Sequence, residues 1–303
     1  TALMAMRRFE QALLTVDAAL ALSPKLAGAW NNRGYILQHM NRGEEAIVCF
    51  EKALALEPNF PEALLSYGAA LFEAKRFEDA VAAYEKALAL VPETPYLRGN
   101  LLLYRLHCCD WRHYRQDCEA VSGSIEDGKS AILPFPFTTV SRSAEEQLRC
   151  ARLWAGRECP KAPALWRGER YRHDKIRLAY VSADFHAHAT AHLMAGVFEH
   201  HDRSRFEINA ISLGPDDSGE LRTRLLTSFD RFIDVRRNGD AEAAAIVRQL
   251  ETDIAIDLKG YTLNHRAGIF AHRPAPIQAS YLGYPGTMGA DFIRSEEHTS
   301  ELQ

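Results

Sequence analysis

The sequence is sparing with the features that would set a chain apart from ordinary folded protein. No run approaches the ~18 consecutive apolar residues that a membrane-spanning helix requires, so a bilayer is not an expected partner. Neither sign of charge dominates: Lys+Arg 36 against Asp+Glu 40 leaves a net charge of −4. Without a basic field the chain has little to offer a phosphate backbone, so nucleic acid is not an expected partner. Cysteine is scarce and unpatterned. Cys49, Cys108, Cys109, Cys118, Cys150 and Cys159 show neither a Cys-x-x-Cys pair nor the density of a disulfide-stapled scaffold, which reads as reduced thiols in a cytoplasmic protein. No initiator Met is present, and Thr1 falls inside a helical pattern, so the absence of a signal peptide carries little weight. What remains, 47% apolar and 25% charged residues over 303 positions, excludes disorder, collagen and coiled coil and sets an expectation of two domains.

The first of these is a repeat. An offset of 34 superimposes Arg8/Arg42/Arg76, Glu10/Glu44/Glu78, Ala12/Ala46/Ala80, Ala19/Ala53/Ala87, Leu20/Leu54/Leu88 and Pro24/Pro58/Pro92. Each unit holds two helix-period runs around a turn signal such as Asn41-Arg42-Gly43 and closes on a proline that cannot continue the second helix. Trp30, Gly34, Ala46, Phe50, Ala53 and Pro58 stand where the tetratricopeptide pattern has its signature residues, and the units resemble that family. The reading is one truncated repeat (1–26), two complete ones (27–60 and 61–94) and a degenerate one from Pro95 to about Val121. Small residues such as Gly34 and Gly68 let paired helices approach, and Phe50 and Tyr84 fill the shared core. Asn32 and Asn100 share one column of the first helix, where an amide can bond the backbone of an extended acceptor peptide; solvation or local capping is the competing reading.

Beyond Pro134 the period stops. Ser141–Ala155 reads as one amphipathic helix, followed by an exposed basic connection and a boundary near 165–175, so that 122–175 is a helical linker. Apolar runs at Ile176–Ser182, Phe206–Leu213, Arg231–Val235, Asp253–Leu258 and Ile277–Leu282 then alternate with helical patterns such as Ala191–Glu199 and Asp240–Leu250. That alternation predicts a parallel sheet covered by helices, the α/β class, behind an α class repeat. In such sheets chemistry gathers at the carboxyl ends of the strands. The first strand runs out into Asp184-Phe185-His186-Ala187-His188-Ala189-Thr190, where Asp184 and His188 are spaced to meet across a loop, giving an imidazole oriented by a carboxylate. A metal site on His186, His188 and His192 lacks a completing ligand, and a histidine capping the next helix is the plain alternative. Two further strand ends, Leu258–Thr262 and the glycine-rich Leu282–Gly289, offer backbone amides to a sugar or phosphate, or are simply tight loops.

Together, Tyr180–Met194, Asp253–Thr262, Phe270–Gln278 and Tyr281–Ala290 resemble the first catalytic lobe of the O-linked N-acetylglucosamine transferases (glycosyltransferase family 41, with SPINDLY-like relatives), whose bacterial members also carry tetratricopeptide repeats ahead of it. The resemblance implies a repeat superhelix followed by the first Rossmann-like lobe (176–293) of a two-lobed enzyme, the second lobe being absent. It implies inverting transfer of N-acetylglucosamine from UDP-GlcNAc to Ser or Thr of acceptor proteins, without a cofactor or essential metal. It assigns catalytic roles to His188 and Asp184 and donor-sugar contacts to Thr190, Leu282, Gly283, Tyr284 and Pro285. The chain departs from the family at His186-Ala187, where Gly-Asn is usual, and at Ala189 in place of proline. A SPINDLY-type relative using GDP-fucose, and a repeat-based interaction scaffold, are the alternatives. The polar string 294–303 looks like an in-frame translation of a sequencing adapter and is expected to be a non-native tail, and a chain ending there is expected to be inactive by itself.

Overall fold

A computed structural model describes residues 9–296, with side chains described up to Arg294. The chain divides into two compact units between Ile132 and Leu133. The predicted linker 122–175 thus meets a division inside it.

The first unit is a row of helices: α1 (Phe9–Leu22), α2 (Ala27–His39), α3 (Gly43–Leu56), α4 (Pro61–Glu73), α5 (Phe77–Leu90), α6 (Leu97–His107) and α7 (Tyr114–Glu126), each packed on the next. Proline opens α4 at its first position, where the missing N–H costs nothing. The turns repeat in backbone angle as well as in sequence. Asn41, Lys75 and Cys109 all adopt positive φ, at 58°, 61° and 53°. The next amide reaches back five residues each time: Arg42 to Leu37, Arg76 to Leu71 and Asp110 to Arg105, at 2.9 Å in all three. This bond closes a helix that is followed by a left-handed residue. The degenerate last unit therefore keeps the turn although its residues have changed. The core runs along the row through Leu37, Phe50, Leu71, Tyr84, Leu101 and Tyr104. At Gly68 a Cβ would stand 2.4 Å from the Tyr84 ring, and at Gly34 2.6 Å from the Phe50 ring, so glycine sets how closely the paired helices pack.

The second unit begins with a short helix, α8 (Pro134–Phe137), and α9 (Ala144–Glu158), which Ser143 caps by accepting the amide of Glu146. Both pack on the lobe that follows: Trp154 lies 4.3 Å from the Tyr261 ring and Phe135 6.2 Å from that of Tyr284. Strands β1 (Ile176–Ser182), β2 (Phe206–Ser212), β3 (Arg231–Asp234), β4 (Ile254–Asp257), β5 (Ile277–Ser280) and β6 (Ser295–Glu296) form one sheet in the order 3-2-1-4-5-6, all pairs parallel. Helices α10 (Ala189–Glu199), α11 (Glu220–Ser228), α12 (Asp240–Gln249) and α13 (Gly268–Ala271) fall between successive strands. This is the doubly wound arrangement that the alternating pattern predicts, and its strand order reverses between β1 and β4. The strands are apolar on both sides because helices cover both faces; Leu178, Ile208, Ala210, Phe198, Phe185 and Phe229 form the core under α10 and α11. The expected non-native tail enters the structure at Arg294, whose amide donates to the Gln278 carbonyl, and continues as the two-residue β6; residues 297–303 lie outside the described residues.

Candidate functional site

The neighbouring carboxyl ends of β1 and β4 are where a doubly wound sheet opens a crevice. Register sets their residues side by side, Val181 beside Asp257. Past the end of β1, the Ser182 hydroxyl accepts the amide of Asp184 at 3.0 Å. The carbonyl of Asp184 accepts the amide of His186 at 2.8 Å. The carboxylate of Asp184 is therefore fixed and faces inward, only 6% exposed. From β4, Lys259 extends its ammonium to both oxygens of that carboxylate, at 2.9 and 2.8 Å, and is itself 6% exposed. A buried ion pair of this kind holds two strands in one geometry, because either partner alone would be a desolvated charge.

Asp257 stands directly beneath. Its Oδ1 accepts the amide of Lys259 at 2.9 Å, while Oδ2 is buried with no hydrogen-bond partner. Burial pushes this carboxyl up to about 7, against the pull of the two backbone amides and the Lys259 charge.

His188 is the residue before α10, in extended conformation, and its Nδ1 accepts the amide of Thr190 at 3.2 Å. Its imidazole reaches Asp184 Oδ2 only to 3.5 Å, longer than a hydrogen bond. The capping alternative and the expected approach to Asp184 thus coexist, with the cap as the bond actually made. A backbone N–H can only donate, so Nδ1 carries the lone pair and the neutral ring carries its proton on Nε2. The helix accordingly starts at Ala189, two residues before the predicted Ala191. Arg222 ties this corner to β2: its buried guanidinium donates to the Phe185 carbonyl at 2.9 Å and to the Ser212 hydroxyl at 3.2 Å, and lies over the Phe232 ring.

The third strand end packs against the second. Gly283 lies so close to β4 that a Cβ there would stand 1.8 Å from the Leu258 carbonyl oxygen, and Leu282 takes φ 65° to bring it in. Of the expected sugar-facing loop, Tyr284 is buried against Tyr261 and Phe135, Leu282 is half-buried against the core, and Pro285 alone is exposed. The structure thus gathers Asp184, His188, Thr190 and Gly283 at one end of the sheet. Asn32 and Asn100 belong to the other unit, on α2 and α6, both half-buried; Asn100 shares a hydrogen bond with the Tyr84 hydroxyl inside the helix row. Among the described residues no cluster of His, Cys, Asp or Glu is arranged to hold a metal ion. Sequence reasoning named Lys259 only within the Leu258–Thr262 loop, for its backbone, and passed over Asp257 and Arg222. The signal for the first two was present, an Asp-Leu-Lys-Gly string ending an apolar strand, but the pairing partner depends on strand order.

A doubly wound lobe with a charged switch point, following helical repeats, defines a repeat-bearing protein with an α/β domain. Residues 158–303 match the model of the family described as Glycosyl transferase family 41, and tetratricopeptide repeat models match 27–60 and 61–94, the two repeats expected to be complete. The chain is 41% identical over 132 residues to the probable UDP-N-acetylglucosamine–peptide N-acetylglucosaminyltransferase SEC of Arabidopsis thaliana, covering 43% of this chain and 14% of that one. It is also 41% identical over 135 residues to the UDP-N-acetylglucosamine–peptide N-acetylglucosaminyltransferase of Caenorhabditis elegans, covering 43% and 12%. Among solved structures, a Thermobaculum terrenum O-GlcNAc transferase mutant shares the fold at a TM-score of 0.56 and 24% identity, over 95% of this chain and 50% of that one. The chain thus carries tetratricopeptide repeats and part of a family 41 domain, and spans about one seventh or less of the length of these curated relatives.

Proposed function

We propose that this chain is part of a protein O-GlcNAc transferase, which transfers N-acetylglucosamine from UDP-GlcNAc to Ser or Thr hydroxyls with inversion, the repeats engaging acceptor proteins. The observation that carries the reading is the Asp184–Lys259–His188 cluster at the β1/β4 switch point, within the family 41 segment. At that end of the sheet His188 offers an outward Nε2–H, which suits an acceptor oxygen on which charge grows as the sugar leaves. Thr190 stands in the first turn of α10 beside it, and the close-packed Leu282–Pro285 backbone borders the same crevice. The reading uses no metal: charge is handled by fixed donors. Asn32 supplies a free-standing amide on the repeats, whereas the Asn100 amide first has to leave Tyr84 before it can meet a peptide. An intracellular setting is part of the reading, in keeping with six cysteines that form no disulfide, Cys49, Cys150 and Cys159 being buried.

The test is to express the longest open reading frame that contains this chain and follow transfer from UDP-GlcNAc and from GDP-fucose to candidate peptides by mass spectrometry. Transfer of N-acetylglucosamine, reduced about 100-fold or more in a folded His188→Ala protein, is the expected result. Fucose transfer alone, or turnover untouched by the substitution, overturns it.

A further inference from the structure

His188 has two neighbours competing for one nitrogen. The amide of Thr190 donates to Nδ1 at 3.2 Å, and the Asp184 carboxylate stands 3.5 Å from the same atom. An Asp that wins such a contest accepts a proton-bearing Nδ1–H and leaves Nε2 as the lone pair, which makes the ring a base toward the crevice. Here Asp184 does not win. Its two oxygens are taken by Lys259 at 2.9 and 2.8 Å, and a charge-assisted pair buried on both sides outbids a long contact to a neutral ring. The remaining groups at this corner do not alter the contest: Asp257 turns its Oδ1 to the Lys259 amide, and the His186 ring lies 5.9 Å from that of His188.

We propose that Lys259 is a positioning residue: by holding Asp184 it keeps Nδ1 of His188 free to cap α10, so that the lobe presents Nε2–H as a hydrogen-bond donor instead of a base. The matching chemistry on a ligand is an acceptor oxygen, whether of a phosphate or of a sugar. The relevance to transfer rests on the function proposed above, whereas the tautomer is a property of this lobe and is measured without any substrate.

Two-bond proton–nitrogen correlation of the imidazoles in the ¹⁵N-labelled chain, at a pH where His188 is neutral, reads the tautomer directly; His188→Gln identifies its signals. The wild-type chain is expected to show a pyridine-like Nδ1 and a pyrrole-like Nε2. Lys259→Met frees the carboxylate and is expected to invert the pair, Lys259→Arg to keep the wild-type pattern, and Lys259→Met combined with Asp184→Asn to bring it back. A merely structural lysine would leave the tautomer unmoved in any variant that folds. If Lys259→Met does not fold, Lys259→Gln, still neutral but able to donate one hydrogen bond, takes its place with the same expected inversion. A wild-type Nδ1–H, or an unchanged pattern in the folded neutral variant, overturns the proposal, and neither result bears on whether the intact enzyme transfers sugar.

Discussion

The carboxyl of Asp257 makes the stability of the second unit depend on pH in a direction opposite to that of an ordinary surface aspartate. In the folded chain it is pushed up to about 7 by burial at the end of β4, while in the unfolded chain an Asp titrates near about 3.9. Between those values the folded state binds the proton that the unfolded state has released. Stability is therefore full below about pH 4 and falls as pH rises toward 7, at up to about 1.36 kcal/mol per unit. Integrated from pH 5 to pH 8, the loss is about 2–3 kcal/mol. Asp257→Asn removes the titration and keeps an oxygen to accept the Lys259 amide. It also places an amide group where Oδ2 now has no partner, a cost of about 1–3 kcal/mol that does not change with pH. The variant is thus expected to be the less stable protein at pH 5 and to draw level with or overtake wild type at pH 8. Native-state hydrogen exchange isolates this unit. The Leu258 amide, bonded to Val181, and the Tyr281 amide, bonded to the Asp257 carbonyl, report opening of the strands around the carboxyl. The measured quantity is the wild-type minus variant difference at each pH, in which all other titrations cancel. A difference that stays constant within about 0.5 kcal/mol between the two pH values would refute the argument, since a carboxylate solvated in the folded state has no such linkage.

Four further substitutions test the packing. Gly283→Ala drives a methyl into the Leu258 carbonyl and is expected to cost at least about 3 kcal/mol in urea unfolding; a loss under 1 kcal/mol would mean the loop stands off β4. Gly68→Ala, against the Tyr84 ring, is expected to cost about 1–3 kcal/mol, whereas Gly28→Ala, with open space around it, should gain up to about 1 kcal/mol from helix propensity; equal effects would remove close approach as the reason for Gly68. His188→Ala deletes the cap on α10 and should lower stability by only about 1 kcal/mol, checked by thermal melting; a much larger loss would mark the imidazole as a packing element.

The repeats were legible in the sequence because each turn and each close contact is written again 34 residues later. The alternating half was legible for a different reason: β1 matches its predicted bounds, and β2 to β5 differ from theirs by only one or two residues at their ends. The third helical turn was hidden, because Cys109 gives no local cue to a left-handed backbone. Within the site, Asp184 and His188 stood out as polar residues at the end of an apolar run. Their relation did not, because whether an aspartate orients an imidazole or serves a lysine 75 positions away follows from the order of strands, which spacing along the chain does not encode. The Leu282–Pro285 loop was read as facing a ligand; in the folded chain burial of the Tyr284 ring takes precedence over exposure of the loop.

The left-handed residue at 41, 75 and 109 has a consequence for how such a chain changes length. A turn defined by one backbone angle and one amide-to-carbonyl bond asks nothing of its side chains, and Asn, Lys and Cys fill it in succession. Each helix also contacts chiefly its immediate neighbours, so the row behaves as a one-dimensional stack. Duplication or loss of one stretch from turn to turn leaves every surviving joint with the same geometry. The reach of the array can then be set in whole-repeat steps by recombination alone, independently of the lobe that follows it.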